Sequence, residues 1–394
     1  MSFNFGISTN AMFGAGQLLN LHTQLNAPMG AVQGKKALVV ISNGKSTRSN
    51  GYLERLENEL AQAGVEYVIF DKISANPTKP VVEEGGRFAK ENGCDFIVAL
   101  GGGSVIDASK AIGIMATNPS NDLWDYVMFG TGKGQWPPVP SLPIVAITTT
   151  AGTGSEVTAF SVITDHSRNY KLTVVSNYLL PAYVILDPDL IATVPANTAA
   201  ACGIDAMVHA LEAYISKAAS PFSDIFAREA LRLIGGSIRD YVADRSNPAA
   251  CESMMVGSLF AGIAFSHARL GNVHAMSHPV SAYFDVPHGV ANAILLPTVV
   301  DFNKDAADPE KYRYIYGCIS KDMGADINFT PDMLATEIRM LNYELGILPT
   351  LSDIGVTSDK FEQMADDAMK SGNIQCNPQF TMKNDILKLY EQAF

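Results

Sequence analysis

The chain has no Cys-x-x-Cys pair, no surplus of basic residues and no long apolar run, and each absence excludes a class of protein. Its five cysteines, Cys94, Cys202, Cys251, Cys318 and Cys376, are odd in number and widely spaced, which argues against a disulfide framework and for reduced thiols in a cytoplasmic protein. Lys and Arg number 28 against 40 Asp and Glu, a formal charge of −12 that nucleic-acid phosphates would repel. No basic stretch followed by an apolar one opens the chain, and no uninterrupted run reaches the roughly 18 apolar residues of a membrane span, so a soluble, untargeted protein is expected. The Gly-x-Gly-x-x-Gly fingerprint of the usual dinucleotide fold is also missing. What is present is ample apolar material: 47% hydrophobic against 17% charged residues excludes disorder. A length of 394 residues exceeds one ordinary core, so two domains are expected.

The first half alternates buried-strand runs with helical patterns. KKALVVIS (35–42), VEYVIFD (65–71), DFIVALGGGS (95–104) and PIVAITTT (143–150) read as strands, with helices at 51–64, 77–93 and 105–117 between them. Strand–helix alternation implies a parallel sheet covered on both faces. After Asp187-Pro188 the pattern changes to long Ala-rich helices without a strand series. We therefore place an α/β domain at 1–189 and a helical domain at 190–394.

Two loops follow strands in the first domain. Gly101-Gly102-Gly103-Ser104 opens a helix, where free backbone N–H groups and the absence of Cβ suit a pyrophosphate. Thr148 to Glu156 (TTTAGTGSE) offers hydroxyls at another strand's carboxyl end, where ligands of open α/β sheets bind. In the second domain, four of the chain's seven histidines fall in two segments. Asp205 and His209 are one helical turn apart in GIDAMVHALEAYIS, and His274, His278 and His288 follow in VHAMSHPVSAYFDVPHGVANA. Spacing of four puts two side chains on one helix face, and imidazoles with one carboxylate suit Fe²⁺, Zn²⁺ or another first-row divalent ion.

The ordered motifs GGGSVIDASKA, TTTAGTGSEVT, DPDL, GIDAMVHALEAYIS, VHAMSHPVSAYFDVPHGVANAILLP and NPQFTMKNDIL, spread over nearly the whole chain, resemble the iron-containing (group III) alcohol dehydrogenases. That resemblance implies an N-terminal Rossmann-like dinucleotide domain and an all-α metal domain, the dehydroquinate synthase-like architecture. It assigns the metal to Asp205, His209, His274 and His288, with Fe²⁺ favoured over Zn²⁺, and an active-site but non-ligand role to His278. It assigns the dinucleotide to Gly101, Gly102, Gly103, Ser104, Asp107, Thr149, Thr153 and Lys171. The implied reaction is reversible hydride transfer between NAD(P)H and a small aldehyde or primary alcohol, with His278 relaying the alcohol proton, by a cytoplasmic homodimer or larger homo-oligomer with no nucleic-acid or membrane partner.

Two departures from the family pattern refine this. Members preferring NAD tend to carry an acid at the end of the second strand, where this chain has Ser42 and Asn43 with Lys45 and Arg48 behind. A modest lean towards NADPH follows. In AFSHARLGNVH, His267, Arg269 and Asn272 replace small or apolar residues just ahead of His274. An Arg269 facing the substrate, beside an otherwise apolar lining of Phe160 and Phe265, would suit an aldehyde with an anionic tail. The alternatives are a polyol dehydrogenase of the same superfamily and a non-catalytic metal- and nucleotide-binding protein.

Overall fold

The computed structural model describes residues 5–27, 32–128, 132–321 and 328–394. They pack into two compact units. One joins Ile7–Thr150 to Ser155–Thr193, and the other joins the chain start, Ala151–Gly154 and Val194–Phe394.

The α/β unit holds strands β1 (Asn10–Phe13), β2 (Lys36–Ser42), β3 (Glu66–Ile73), β4 (Phe96–Gly101), β5 (Ile144–Thr148), β6 (Phe160–Asp165), β7 (Tyr170–Val175) and β8 (Tyr183–Leu186). Its helices are α1 (Leu21–Asn26), α2 (Ser46–Ser49), α3 (Tyr52–Ala63), α4 (Lys79–Glu91) and α5 (Gly103–Thr117). Six strands form one all-parallel sheet in the order β1-β8-β5-β4-β2-β3, while β6 and β7 pair as a separate antiparallel hairpin. Every side chain from Ala37 to Ile41 is fully buried, as expected when both faces of a parallel strand are covered. On one face, Ala37, Val39 and Ile41 pack with Tyr52, Leu53, Leu56 and Leu60 of α3. Side chains alternate along a strand, so Leu38 and Val40 point to the opposite face.

Register places the loops that matter. Gly101 pairs with Thr148 at the carboxyl ends of β4 and β5, and Thr149 N–H donates to Gly101 O at 3.1 Å. The glycine loop and the threonine loop, 45 positions apart in the chain, are therefore side by side. The fold class expected from the sequence is the one observed. β1, β8 and the β6–β7 hairpin were not anticipated. Asp187 of the DPDL motif ties the end of β8 to the segment after β1, accepting from Gly16 N and Leu18 N, each at 3.0 Å.

The helical unit contains α6 (Ala196–Ile215), α7 (Pro221–Ala243), α8 (Pro248–Ala268), α9 (Asn272–Phe284), α10 (His288–Asn303), α11 (Pro309–Ile319), α12 (Pro331–Glu344), α13 (Phe361–Ala368) and α14 (Lys383–Ala393). In α6, ANTAAACGIDAMVHALEAYI joins Ala, the strongest helix former, to a nearly all-round apolar surface. Such a helix belongs at a centre, and α6 packs against α7, α8 and α10. Among the described residues, α8 is the one helix long and apolar enough to cross a membrane, although Glu252 and other polar residues interrupt it in sequence. Most of it is covered, against α6 and α7, as in a core helix.

Candidate metal centre and nucleotide loops

α6 carries Asp205, His209 and Glu212 at spacings of four and three, on one face. α9 supplies His274 from its first turn, and α10 begins at His288. Ligand atoms of Asp205, His209 and His274 all lie within 4.8 Å of one another, an arrangement that could hold a metal ion. His288 Nε2 stands 3.9 Å from the same Asp205 oxygen that His274 Nε2 approaches at 3.7 Å. Asp205, His209 and His274 are buried, whereas about a quarter of the His288 side chain is exposed.

Each imidazole is held from behind. His274 Nδ1 lies 2.6 Å from Glu212 Oε2, and Glu212 Oε1 accepts Val273 N–H at 2.8 Å. His209 Nδ1 reaches Gly152 O at 3.2 Å, and His288 Nδ1 reaches Ser277 Oγ at 3.5 Å. A ring whose Nδ1–H is engaged presents a lone pair at Nε2, the form a metal requires. Burial holds the His274 imidazolium well below its ordinary range, so the ring is neutral. It also pushes Glu212 up to about 7. The donor set therefore fits a divalent cation by its own chemistry: one carboxylate and imidazole nitrogens converge.

The His209 ring stacks on Phe265 at 4.4 Å and on His274 at 4.5 Å, so Phe265 makes an apolar wall beside this cluster. His278, one turn after His274, has its ring centre 5.2 Å from that of His288 and 6.4 Å from that of His274.

Of the three positions ahead of His274, His267 and Asn272 have polar partners of their own. His267 is tied up at the helix end, with Nδ1 on Ile263 O at 2.8 Å and Nε2 accepting Gly6 N–H at 3.2 Å. Asn272 is fully buried and bonds Asn377 and Thr381, so the terminal NPQFT motif serves to anchor the start of α9. Neither is available to a substrate, because each polar end already has a partner. Arg269 is exposed at the end of α8, with φ of 63°.

In the α/β unit, Gly102 lies where a Cβ would come within 3.0 Å of Thr150 Oγ1, so glycine lets the two loops close up. Ser104 Oγ donates to Ala75 O, and Lys171 Nζ donates to Asn76 Oδ1 at 3.0 Å. Ser104 thus fastens the loop after β3 to the start of α5, and Lys171 fastens it to strand β7. Asp107 Oδ2 accepts Val162 N–H at 2.9 Å, which ties α5 to the hairpin. Two buried ionisable groups, Lys110 and Glu156, lie near the mostly buried Asp107, whose Oδ1 is 3.8 Å from Lys110 Nζ. Lys110 donates to Thr158 O and Phe160 O, each at 2.8 Å, and burial holds it down to about 8. Glu156 is pushed up to about 7 by the same burial. Thr153 falls in the short stretch that packs with the helical unit.

Ser42 ends β2 opposite Ile73, and Asn43 N–H donates to Ile73 O at 2.8 Å. Lys45 is exposed, but Arg48 pairs with Asp71 of β3 at 2.8 Å. The region around Ser42 is therefore less cationic than its sequence suggests, since Asp71 offsets Arg48.

Glu212, Gly152, Ser277 and Asn292, whose amide lies against Asp205, were not singled out from the sequence. Glu212 and Asn292 carried a usable signal, lying three residues after His209 and four after His288, on the same helix faces. The contact with Gly152 had none, because a backbone carbonyl leaves no trace in residue type.

Comparison with known proteins agrees in both halves. Residues 8–188 match the model for iron-containing alcohol dehydrogenase, and residues 199–394 match that for the C-terminal part of the Fe-containing alcohol dehydrogenase family. The chain is 42% identical to 1,3-propanediol dehydrogenase of Klebsiella pneumoniae over 92% of each chain. It is 34% identical to NAD-dependent methanol dehydrogenase of Bacillus methanolicus over 99% of each. A solved structure of 1,3-propanediol oxidoreductase superposes with a TM-score of 0.90 at 38% identity, covering both chains fully. The chain belongs to the iron-containing alcohol dehydrogenase family. It is an oxidoreductase of alcohols and aldehydes that depends on a metal and NAD(H).

Proposed function

We propose that this enzyme interconverts a short, neutral aldehyde and its primary alcohol. Reduction is the favoured direction near neutral pH, because it consumes a proton. The observation that carries this reading is the convergence of Asp205, His209 and His274 within 4.8 Å, with His288 beside them and Phe265 as an apolar wall. A divalent ion held by these four residues, Fe²⁺ before Zn²⁺, supplies Lewis acidity that polarises the carbonyl and lowers the pKa of the alcohol. His278, next to the most exposed of the four, relays the alcohol proton. The glycine and threonine loops seat the pyrophosphate, whose charge is met by backbone N–H groups at the start of α5. Propanediol and methanol as substrates of relatives support a small aliphatic substrate.

Both NADH and NADPH are accepted in this reading: no acid stands at Ser42 or Asn43 to repel a 2′-phosphate, while Arg48 is already engaged by Asp71. Five free cysteines support a reducing, cytoplasmic setting. The deciding experiment follows oxidation of NADH and NADPH by protein reconstituted with Fe²⁺ or Zn²⁺ under anaerobic conditions, over a panel of short aldehydes. Net turnover of reduced nicotinamide is expected. Binding of cofactor and metal without turnover would instead identify a non-catalytic binding protein.

A further inference from the structure

Asn292 lies one turn after His288 on α10 and is fully buried. Its Nδ2 is 2.6 Å from Asp205 Oδ1, 3.2 Å from His274 Nε2 and 3.2 Å from His288 Nε2. These three acceptors belong to three different helices, and they are three of the four groups assigned above to the metal. A primary amide nitrogen carries two hydrogens, so it cannot satisfy three acceptors at once. At the other end of the side chain, Oδ1 is buried without a hydrogen-bond partner among the described residues. An unpaired buried carbonyl is unfavourable, so what orients this amide is its attraction to the ligand set itself.

We propose that Asn292 is a placeholder that competes with the metal: its amide gathers Asp205, His274 and His288 and must withdraw when the ion loads. Metal affinity is then set by the ligands minus the bonds that Asn292 gives up. The residue keeps three mutually repelling lone-pair donors at short range in the metal-free protein, and it weakens the hold on the ion in return. This inference rests on the reading of the four residues as metal ligands, and the experiment separates the two.

Wild type, Asn292→Ala and Asn292→Asp are stripped with a chelator and titrated with Co²⁺. Affinity is read from visible absorbance in competition with the chelator, and thermal midpoints are taken with and without the ion. Asn292→Ala should lower the midpoint of the metal-free protein more than that of the Co²⁺ form. It should bind Co²⁺ at least about tenfold more tightly, a change of about 1.4 kcal/mol. Asn292→Asp keeps the size of the side chain but turns the donor into an acceptor beside Asp205, and it should show the same asymmetry more strongly at neutral pH. Equal midpoint losses in both forms, or weaker Co²⁺ binding by Asn292→Ala, would overturn the proposal and make Asn292 a plain packing residue or a support of the loaded site. Failure of the wild type to bind Co²⁺ would overturn the ligand assignment itself, and the placeholder role with it.

Discussion

Replacing Glu212 by Gln exchanges one oxygen for an amide nitrogen and changes almost no volume, yet it should cost most of the enzyme's hold on its metal. Glu212 spans α6 and α9, with Oε2 on His274 Nδ1 at 2.6 Å and Oε1 on Val273 N–H at 2.8 Å. A carboxylate accepts at both oxygens, whereas an amide must donate at one end. If the amide nitrogen faces His274, the ring proton is driven to Nε2, where a lone pair is needed. If it faces Val273, two donors confront each other at the first turn of α9. Either arrangement leaves one buried group unsatisfied, at about 1–3 kcal/mol. Loss of a carboxylate partner behind a ligating histidine typically lowers metal affinity 10–100-fold, or about 1.4–2.7 kcal/mol. Competition between Glu212→Gln and a chelator for Co²⁺ or Zn²⁺ measures this directly, and circular dichroism checks that the helices persist. An affinity within about twofold of wild type would refute the reasoning, because it would mean that the carboxylate does not set the state of His274.

Four further outcomes are expected. His274→Ala should lose bound metal and activity while the α/β unit keeps its secondary structure; full occupancy by elemental analysis would remove His274 from the ligand set. Gly152→Ala would bring a Cβ within 2.8 Å of Cys202 Cβ and its carbonyl oxygen. The loop must then shift off His209, with a stability loss of about 1–3 kcal/mol and weaker metal retention, visible in denaturant titrations and metal content. Glu156 is raised from an ordinary 4.5 to about 7, so between those values the folded chain holds a proton that the unfolded chain has released. Stability should therefore fall as pH rises through that window, by up to about 1.4 kcal/mol per unit, and level off above it. Glu156→Gln should flatten the slope in denaturation curves between pH 5 and 7, and an unchanged slope would clear Glu156 of responsibility. Lys110, held down to about 8, contributes the opposite slope only above that pH. Ser42→Asp should raise the preference for NADH over NADPH by charge repulsion with the 2′-phosphate, read as the ratio of kcat/KM values; no change would put the 2′-position elsewhere.

Much of the fold was legible because its signals are local. Strands β2 to β5 are runs of β-branched and aliphatic residues closed by Gly, Ser or Thr, and each helix between them has its own periodicity. β1 and β8 are four residues long: β1 (NAMF) has no strand pattern of its own, and β8 (YVIL) is an apolar run too short to stand out. They become strands only through pairing with each other, and β8 also through pairing with β5. The β6–β7 hairpin was obscured in a similar way: its strands alternate imperfectly, since Ile163, Thr164 and Asp165 are all buried. In the candidate site, Asp205 and His209 stood out because histidine is rare here and their spacing fits a helix face. The link between the two nucleotide loops is a matter of register, since Gly101 meets Thr148 only once β4 and β5 are paired. Arg48 illustrates the converse. Its charge was visible in the sequence, but its partner Asp71 is 23 positions away and became visible only in the fold.

Glu212 has one more consequence. The oxygen that does not face His274 closes the first turn of α9 through Val273 N–H, next to Gly271, where a Cβ would come within 3.0 Å of that same oxygen. The start of the helix and the posture of its histidine are thus two readings of one carboxylate. Local opening of this turn releases the imidazole, and any strengthening of the grip on the imidazole should slow that opening. The exchange rate of a single backbone amide, that of Val273, therefore becomes a gauge of the site that can be followed by hydrogen–deuterium exchange without substrate, cofactor or turnover.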